Sequence, residues 1–415
     1  MSNPVAEKPK PPRINLRTPE VMSHVQAQVE RHYQSSLVEQ LRSNSGVLET
    51  PSTRVHLAKE FGFCYGVERA IDLAYAARKV FPDDRMFIVG EIIHNPDVNE
   101  HITNLGIQNL SRPSKSGIAL KNLDLSVLQK DDVVILPAFG AETKIIDQIK
   151  ALGCRIVDTT CGDVMSVWKR VRQNAKEQVT SIIHGKAAHE ETRATASRAL
   201  GKDGGGHYLV VLDITQTKLV RQYMCHGGDR EAFLEKFKNA TSEGFDPDLH
   251  LQRIGVANQT TMLRSETEAI QNELRDAILE RDNGDPRNFR YFDTICGATQ
   301  DRQDALFGLL HNHLDLLLVV GGYNSSNTTH LVEIGEKKVP TFFIRDASRL
   351  HSETQIAHFD IHQHEEITTT NWLPKKEHLV AGVTAGASCP NNLIEEVIQR
   401  LLELRHETAP TPATA

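Results

Sequence analysis

Three cysteines of this chain stand in the same local pattern: an apolar strand, a short turn, the cysteine, then a helix. The first copy runs Val55-His56-Leu57, then Phe61-Gly62-Phe63-Cys64-Tyr65-Gly66, then the helical pattern Val67 to Leu73. The second runs Arg155-Ile156-Val157, then Asp158-Thr159-Thr160-Cys161-Gly162, then Val164 to Val171. The third runs Arg290-Tyr291-Phe292, then Asp293-Thr294-Ile295-Cys296-Gly297-Ala298, then Arg302 to Leu310. In open α/β sheets the crevice beyond the carboxyl ends of the strands is where ligands bind. A helix N-terminus at that place is expected to lower a thiol's pKa, and the thiolate is the form that ligates metal. The repeated device predicts three similar α/β units bringing their cysteines to one metal site.

The length of 415 residues accommodates about three units of ordinary domain size. Apolar content of 39% and charged content of 24% are those of a chain that buries a full core. The longest apolar runs, such as Leu314 to Val320, fall far short of the roughly 20 residues that span a bilayer. No apolar segment of signal-peptide type follows the start, so six cysteines read as reduced thiols or ligands, and the compartment as cytoplasmic, or plastid stroma in a plant. A net charge of -7 argues against a nucleic-acid partner.

Strand and helix signals alternate from residue 53 onward, which predicts parallel sheets covered by helices. The organisation reads as an extension over 1–52, a first unit over 53–157 with Cys64, and a second over 158–291 with Cys161 and an insertion at about 201–249. A third unit with Cys296 covers 292–402, and a disordered tail covers 403–415. Residues 1–19, proline-rich and basic, are expected to be disordered. Val21, Val25, Val29, Tyr33, Leu37 and Leu41 recur every four residues, an apolar stripe that predicts one amphipathic helix packed on the body or on a second subunit.

Cysteines this far apart exclude a local zinc finger, but zinc accepts three cysteines and a histidine. A [4Fe–4S] cluster normally takes four cysteines, so three leave one iron with an open position. Cys154 in a strand, Cys225 in the insertion and Cys389 at a helix start fit a ligand role less well. Two further elements have the composition of anion sites. One is Val319-Val320-Gly321-Gly322-Tyr323-Asn324-Ser325-Ser326-Asn327, a strand end opening into small polar residues before a helix. The other is Ala385-Gly386-Ala387-Ser388-Cys389-Pro390, with Ser388 as the expected N-cap. Backbone N–H groups at such ends cradle phosphate, and no nucleotide-binding glycine motif competes for the assignment.

With these residues in place the chain resembles the 4-hydroxy-3-methylbut-2-enyl diphosphate reductases, which close the methylerythritol phosphate route to isoprenoids. The likeness runs from about Val55 to Leu402. It rests on Gly62-Phe63-Cys64-Tyr65-Gly66-Val67-Glu68-Arg69-Ala70, Gly90-Glu91-Ile92-Ile93-His94-Asn95-Pro96 and Asp158-Thr159-Thr160-Cys161. It continues through Ala188-His189-Glu190-Glu191-Thr192, Asn258-Gln259-Thr260-Thr261, Asn324-Ser325-Ser326-Asn327 and Gly386-Ala387-Ser388. The extension, the insertion and Pro137-Ala138-Phe139-Gly140 look like the longer branch of plants and cyanobacteria.

The resemblance implies three α/β domains in pseudo-threefold arrangement around one [4Fe–4S] cluster held by Cys64, Cys161 and Cys296. It assigns the diphosphate to His94, His189, Ser325, Ser326, Asn327 and Ser388, with Thr260 also at the substrate. Glu191 would supply the proton through a network with Thr260 and His189, and isopentenyl and dimethylallyl diphosphate would be the products. Where the shorter bacterial branch carries a second substrate-facing histidine, this chain has Phe139. Without a flavin or nicotinamide motif, electrons are expected from a separate protein such as ferredoxin or flavodoxin. Lys169, Arg170 and Arg172, just after Cys161, suit an acidic donor. A non-catalytic protein with a structural or sensing cluster would share the three cysteines; Glu191 and Thr260 favour the enzyme.

Overall fold

Three separate parallel sheets carry the chain in the computed structural model, which describes residues 16–111, 123–292 and 294–409. The first has the order β4-β3-β5-β6, built from Ile107–Asn109 (β4), Met86–Ile88 (β3), Val133–Leu136 (β5) and Arg155–Asp158 (β6). The second, β10-β9-β7-β8, uses Phe289–Tyr291 (β10), Ile254–Asn258 (β9), Thr180–His184 (β7) and Tyr208–Val211 (β8). The third, β1-β2-β16-β11-β12, uses Val47–Glu49 (β1), Thr53–Leu57 (β2), Leu379–Ala385 (β16), Leu316–Val320 (β11) and Thr341–Ile344 (β12). Only its edge strand β1 is antiparallel. Central strands such as β5 and β11 are buried along their whole length, as expected of a sheet covered on both faces.

Helices α1 (Pro19–Tyr33), α2 (Ser36–Ser43), α3 (Tyr65–Val80), α4 (Pro96–Asn104) and α5 (Thr143–Ala151) precede or surround the first sheet. Helices α6 (Gly162–Lys176), α7 (Glu190–Ala199), α8 (Ile214–His226), α9 (Arg230–Lys236), α10 (Pro247–His250) and α11 (Arg264–Arg281) follow with the second. Helices α12 (Gly297–Leu309), α13 (Ser326–Gly335) and α14 (Asn391–Leu404) go with the third.

Each cysteine marks a passage from one sheet to the next. Strand β2, at the start of the expected first unit, pairs with β16 of the third sheet, while α3 after Cys64 packs into the core of the first sheet. Likewise β6 lies in the first sheet, but α6 after Cys161 packs on the second through Val167, Val171 and Ala257. Strand β10 lies in the second, and α12 after Cys296 packs on the third through Leu306 and Leu309. The backbone repeats the same contact three times. The N–H of Cys64 bonds to Ala387 O, that of Cys161 to Ala138 O, and that of Cys296 to Thr260 O. Each acceptor follows the strand paired with the one before the cysteine, so the three sites are equivalent by pseudo-threefold symmetry.

Several expectations change. The apolar stripe of the extension falls on two helices, broken at Ser35, whose hydroxyl caps α2 by accepting from the Val38 N–H. Val25 and Tyr33 then enter the core of the first sheet, whereas Leu37, Val38 and Leu41 enter that of the third. The insertion is an ordered layer: Val220, Tyr223, Phe233 and Phe237 pack with Ile270 and Leu274 of α11. An antiparallel sheet of Leu350–Ser352 (β13), Gln355–Asp360 (β14) and Glu365–Thr370 (β15) flanks the third unit, where only parallel strands were expected. The tail is held as far as Glu407, whose carboxylate accepts from the Ser52 N–H and the Thr50 hydroxyl. Residues 1–15 and 410–415, where the rest of the expected disorder falls, lie outside the described residues.

Candidate active site

The passages deliver Cys64, Cys161 and Cys296 to the N-cap positions of α3, α6 and α12, each with extended backbone and with no side-chain capping bond. All three sulfurs line one central cavity of about 100 Å³. Gly66 shows how closely two of them meet. A Cβ there would sit 2.5 Å from Cys161 Sγ and 3.9 Å from Cys64 Sγ, so glycine keeps the space between these sulfurs open. Cys154, Cys225 and Cys389 do not line this cavity; their thiols face carbonyls of Gln129, Ala277 and Pro390.

At Cys161 and Cys296 the expected lowering of the thiol pKa does not hold for the protein chain alone. Burial pushes Cys296 up to about 12, with the Asp163 carboxylate beside it adding to the effect. Burial also raises Cys161, against the pull of the Asp163 and Val164 N–H groups. Desolvation outweighs the helix start here, and thiolates at this place need a bound cationic group to offset it. Three uncapped, converging thiols with an open space between two of them fit a trithiolate-bound metal group.

Opposite the sulfurs stands a buried acid. Glu191, 3% exposed at the first turn of α7, accepts from the Thr260 N–H at 2.6 Å and the Thr260 hydroxyl at 3.0 Å. Burial pushes its carboxyl up to about 7 despite these two bonds, so the proton is retained to near neutrality. His189, the N-cap of α7, accepts the Glu191 N–H at Nδ1. That assigns its proton to Nε2, which is buried and has no partner in the protein. Burial holds His189 well below the usual histidine range, followed by the effects of His94 and Lys186.

His94 is shifted the opposite way from His189. Burial alone would lower its pKa, but the hydrogen bond and charge of Glu91, with Glu190 and Glu191, raise it. Its Nδ1 lies 3.1 Å from Glu91 Oε2, which also accepts from Asn324 Nδ2 at 2.7 Å. Its buried Nε2, 4.0 Å from Glu190 Oε2 and without a hydrogen-bond partner, completes the donor set. Phe139 stacks on the His94 ring at 4.5 Å and an interplanar angle of 11°, fixing it without offering a polar atom. Lys186 is not among the cavity-lining residues.

The third unit closes the pocket. Ser325 is the N-cap of α13 and accepts from the Thr328 N–H, and Ser326 accepts from Gln259 Nε2. Asn327 accepts the Ala387 N–H at 2.9 Å, while its amide nitrogen is buried without a partner and so available to an anion. The N-cap of α14 is Pro390, not Ser388 as expected, and Ser388 lines the cavity instead. Four contributors were missed as site residues although they lie inside quoted motifs, Glu91, Asn324, Gln259 and Thr261, and Asp163 and Thr299, which line the cavity outside those motifs, were missed too. Gln259 joins two units, accepting from Thr192 and the Lys186 N–H and donating to Thr261 and Ser326. The motifs of Glu91, Asn324 and Gln259 were visible, but their positioning role depends on partners distant in sequence. His94, His189 and Glu190 also bring ligand-type atoms within 4.8 Å of one another, but the Nδ1 of each histidine is already engaged.

The fold and this pocket define an α/β class of protein in which three cysteines, a set of buried polar groups without hydrogen-bond partners and a buried acid share one cavity. A family model described as LytB protein matches residues 55–402, and the chain belongs to that family. It is 46% identical over 381 residues to the 4-hydroxy-3-methylbut-2-enyl diphosphate reductase of Picosynechococcus sp. strain PCC 7002, covering 91% of each chain. The protein of the same name from Gloeobacter violaceus is 47% identical over 388 residues, covering 92% of this chain and 90% of that one. With these relatives, the chain is a reductase. Among solved structures, the Plasmodium falciparum E-1-hydroxy-2-methyl-but-2-enyl-4-diphosphate reductase superposes with a TM-score of 0.61 at 21% identity. That match covers 85% of this chain and 88% of that one, and shows the shared fold. No helix among the described residues is long and apolar enough to cross a membrane.

Proposed function

We propose that this protein converts (E)-4-hydroxy-3-methylbut-2-enyl diphosphate to isopentenyl and dimethylallyl diphosphate, the last step of the methylerythritol phosphate route. The observation that carries the reading is the meeting, in one cavity, of three uncapped helix-start cysteines with a carboxyl that keeps its proton to about pH 7. Cys64, Cys161 and Cys296 would hold one [4Fe–4S] cluster, which when bound supplies single electrons and a Lewis-acidic iron to weaken the substrate's C–O bond. The His94 and His189 Nε2 groups and the Asn327 amide are unpartnered donors, joined by Ser325, Ser326 and Ser388, and would bind the diphosphate. Charge-assisted bonds from a protonated His94 contribute most to that grip.

Glu191 would hold the proton that makes departing hydroxide into water, and Thr260 keeps its carboxyl in place through two hydrogen bonds. Phe139 and the apolar walls formed by Val67, Ile93 and Ala138 limit water around the acid. Electrons would come from an external donor such as ferredoxin or flavodoxin. Six unpaired thiols and the cyanobacterial relatives support a cytoplasmic or stromal setting.

The test is anaerobic purification followed by electronic and EPR spectra before and after adding the allylic diphosphate, with product analysis under reduced methyl viologen. Iron and sulfide near four per chain, a spectral change on substrate addition and release of both isomers are expected. Cluster without turnover would leave the protein a sensing or structural cluster carrier and overturn the reading.

A further inference from the structure

Glycine stands at the first position of two of the three cysteine-capped helices, at Gly162 and Gly297, and nothing inside the protein requires it there. Neither residue has a positive φ, and a Cβ added at either would meet no atom within 4 Å. Both are exposed, immediately beside Cys161 and Cys296. The fold therefore gives no reason for glycine at either position. What the missing side chains do provide is close access to the thiolate site from outside.

The surroundings of this opening have the character of an interface. Tyr65, next to Cys64, is 72% exposed, Met165 on α6 is 37% exposed, and Tyr291 before Cys296 is 58% exposed. From Met165 the exposed stripe of α6 continues at helical spacing through Lys169, Arg172 and Lys176, with Arg170 alongside. Lys169, Arg170 and Arg172 have no carboxylate partner among the described residues. Arg170 instead lies 4.6 Å over the ring of Phe292, four residues before Cys296. The α6 stripe and the third cysteine are thus parts of one surface. Carboxylates also stand on these helices: Asp163 at the start of α6, Glu68 on α3, Asp301 and Asp304 on α12, and Glu177 at the end of α6, which pairs with Arg290. Positive charge is therefore concentrated along α6 between them, from Lys169 to Lys176.

We propose that this face, with Gly162 and Gly297 at its centre, Tyr65, Met165 and Tyr291 around them and the α6 cations on one side, docks a small acidic ferredoxin-type carrier protein. The inference rests on the reductase reading above. Replacing the allylic hydroxyl by hydrogen consumes two electrons and two protons, breaks one C–O bond, forms one C–H bond and releases water. A one-electron carrier must therefore dock twice per turnover. A chain of net charge -7 repels an acidic carrier at long range, so a local cationic sector selects the orientation in which contact is made. Carriers of this kind use small, transient interfaces, in keeping with a face made of two bare helix starts and three apolar side chains.

Two variants of the loaded enzyme test the surface. One is the triple Lys169→Glu, Arg170→Glu, Arg172→Glu; the other is the double Gly162→Leu, Gly297→Leu, whose new side chains point into open space. A plant-type acidic [2Fe–2S] ferredoxin is the probe, read both as electron donor and, by NMR line broadening and shifts, as binding partner. At low salt, each variant should lose about 10- to 100-fold in ferredoxin-driven kcat/KM and bind ferredoxin correspondingly more weakly. The triple variant should also lose the salt dependence seen in the parent. Iron content and turnover with reduced methyl viologen should stay at parental values. Parental ferredoxin kinetics and binding in both variants would overturn the proposal, as would equal losses with ferredoxin and viologen. A parent protein inactive with viologen would sink the reductase reading, while the binding comparison would still decide the surface.

Discussion

Replacing Glu191 by Gln separates the proton from everything else this residue does. The two carboxylate oxygens accept from the Thr260 N–H and hydroxyl. A glutamine keeps its carbonyl toward the N–H and turns its amide toward Thr260 Oγ1, which then accepts. Shape and bonding survive, the transferable proton does not, and a general acid is worth about 10²–10⁴-fold in rate. The parent kcat should decline as pH rises through about 7, where the Glu191 carboxyl loses its proton; that decline should be absent from the residual activity of the variant. Stability gives an independent reading. Folding raises this carboxyl from an ordinary 4.5 to about 7, so the folded state holds the proton more tightly. The parent is favoured below pH 4.5 and loses up to about 3 kcal/mol as pH rises from there through 7; glutamine loses nothing over that window. The stability of the variant relative to the parent should therefore grow between pH 5 and 8 by a few kcal/mol at most. The assays are kcat and substrate Kd against pH, iron content, and denaturant midpoints under anaerobic conditions. Parental turnover at pH 7, or a parent kcat that ignores pH between 6 and 8, would refute the assignment of Glu191 as the acid.

Serine at Cys64, Cys161 or Cys296 should remove most bound iron and activity, whereas Cys154→Ser, Cys225→Ser and Cys389→Ser should retain iron, as measured by colorimetric iron and the visible spectrum. Gly66→Ala should fold yet load poorly, because its methyl would stand 2.5 Å from Cys161 Sγ; iron per chain beside an unchanged circular dichroism spectrum reads this out. His94→Ala should weaken diphosphate binding by about 1.5–3 kcal/mol, roughly 10- to 100-fold in Kd, since it removes a charged donor from the pocket. Phe139→Leu loses the ring stack on His94, at about 0.5–1.5 kcal/mol, and the longer edge contact with His189, and should shift substrate Kd by no more than about tenfold in calorimetric titration.

The chain order already contained the recurring strand–turn–cysteine–helix device, the α/β alternation and most of the polar residues that line the cavity. These features are local: an N-cap position, a buried strand and a small-residue loop each follow from a few adjacent side chains. Whether a residue such as Ser388 caps a helix or faces a ligand is decided by the direction of the next turn, and the capping expectation failed there. The exchange of strands between units was likewise hidden, because β2 pairs with β16 more than three hundred residues away and nothing in Thr53–Leu57 names its partner. The protonation states were out of reach for the same reason. Glu191 holds a proton to about pH 7, and Cys296 is driven up rather than down, because burial sets the balance and is created only when three sheets close on one cavity. Sequence determined which groups this protein has and which local conformations present them. Tertiary structure alone decided which groups meet, because the contacts join residues far apart in the chain and the dielectric around them belongs to the assembled fold.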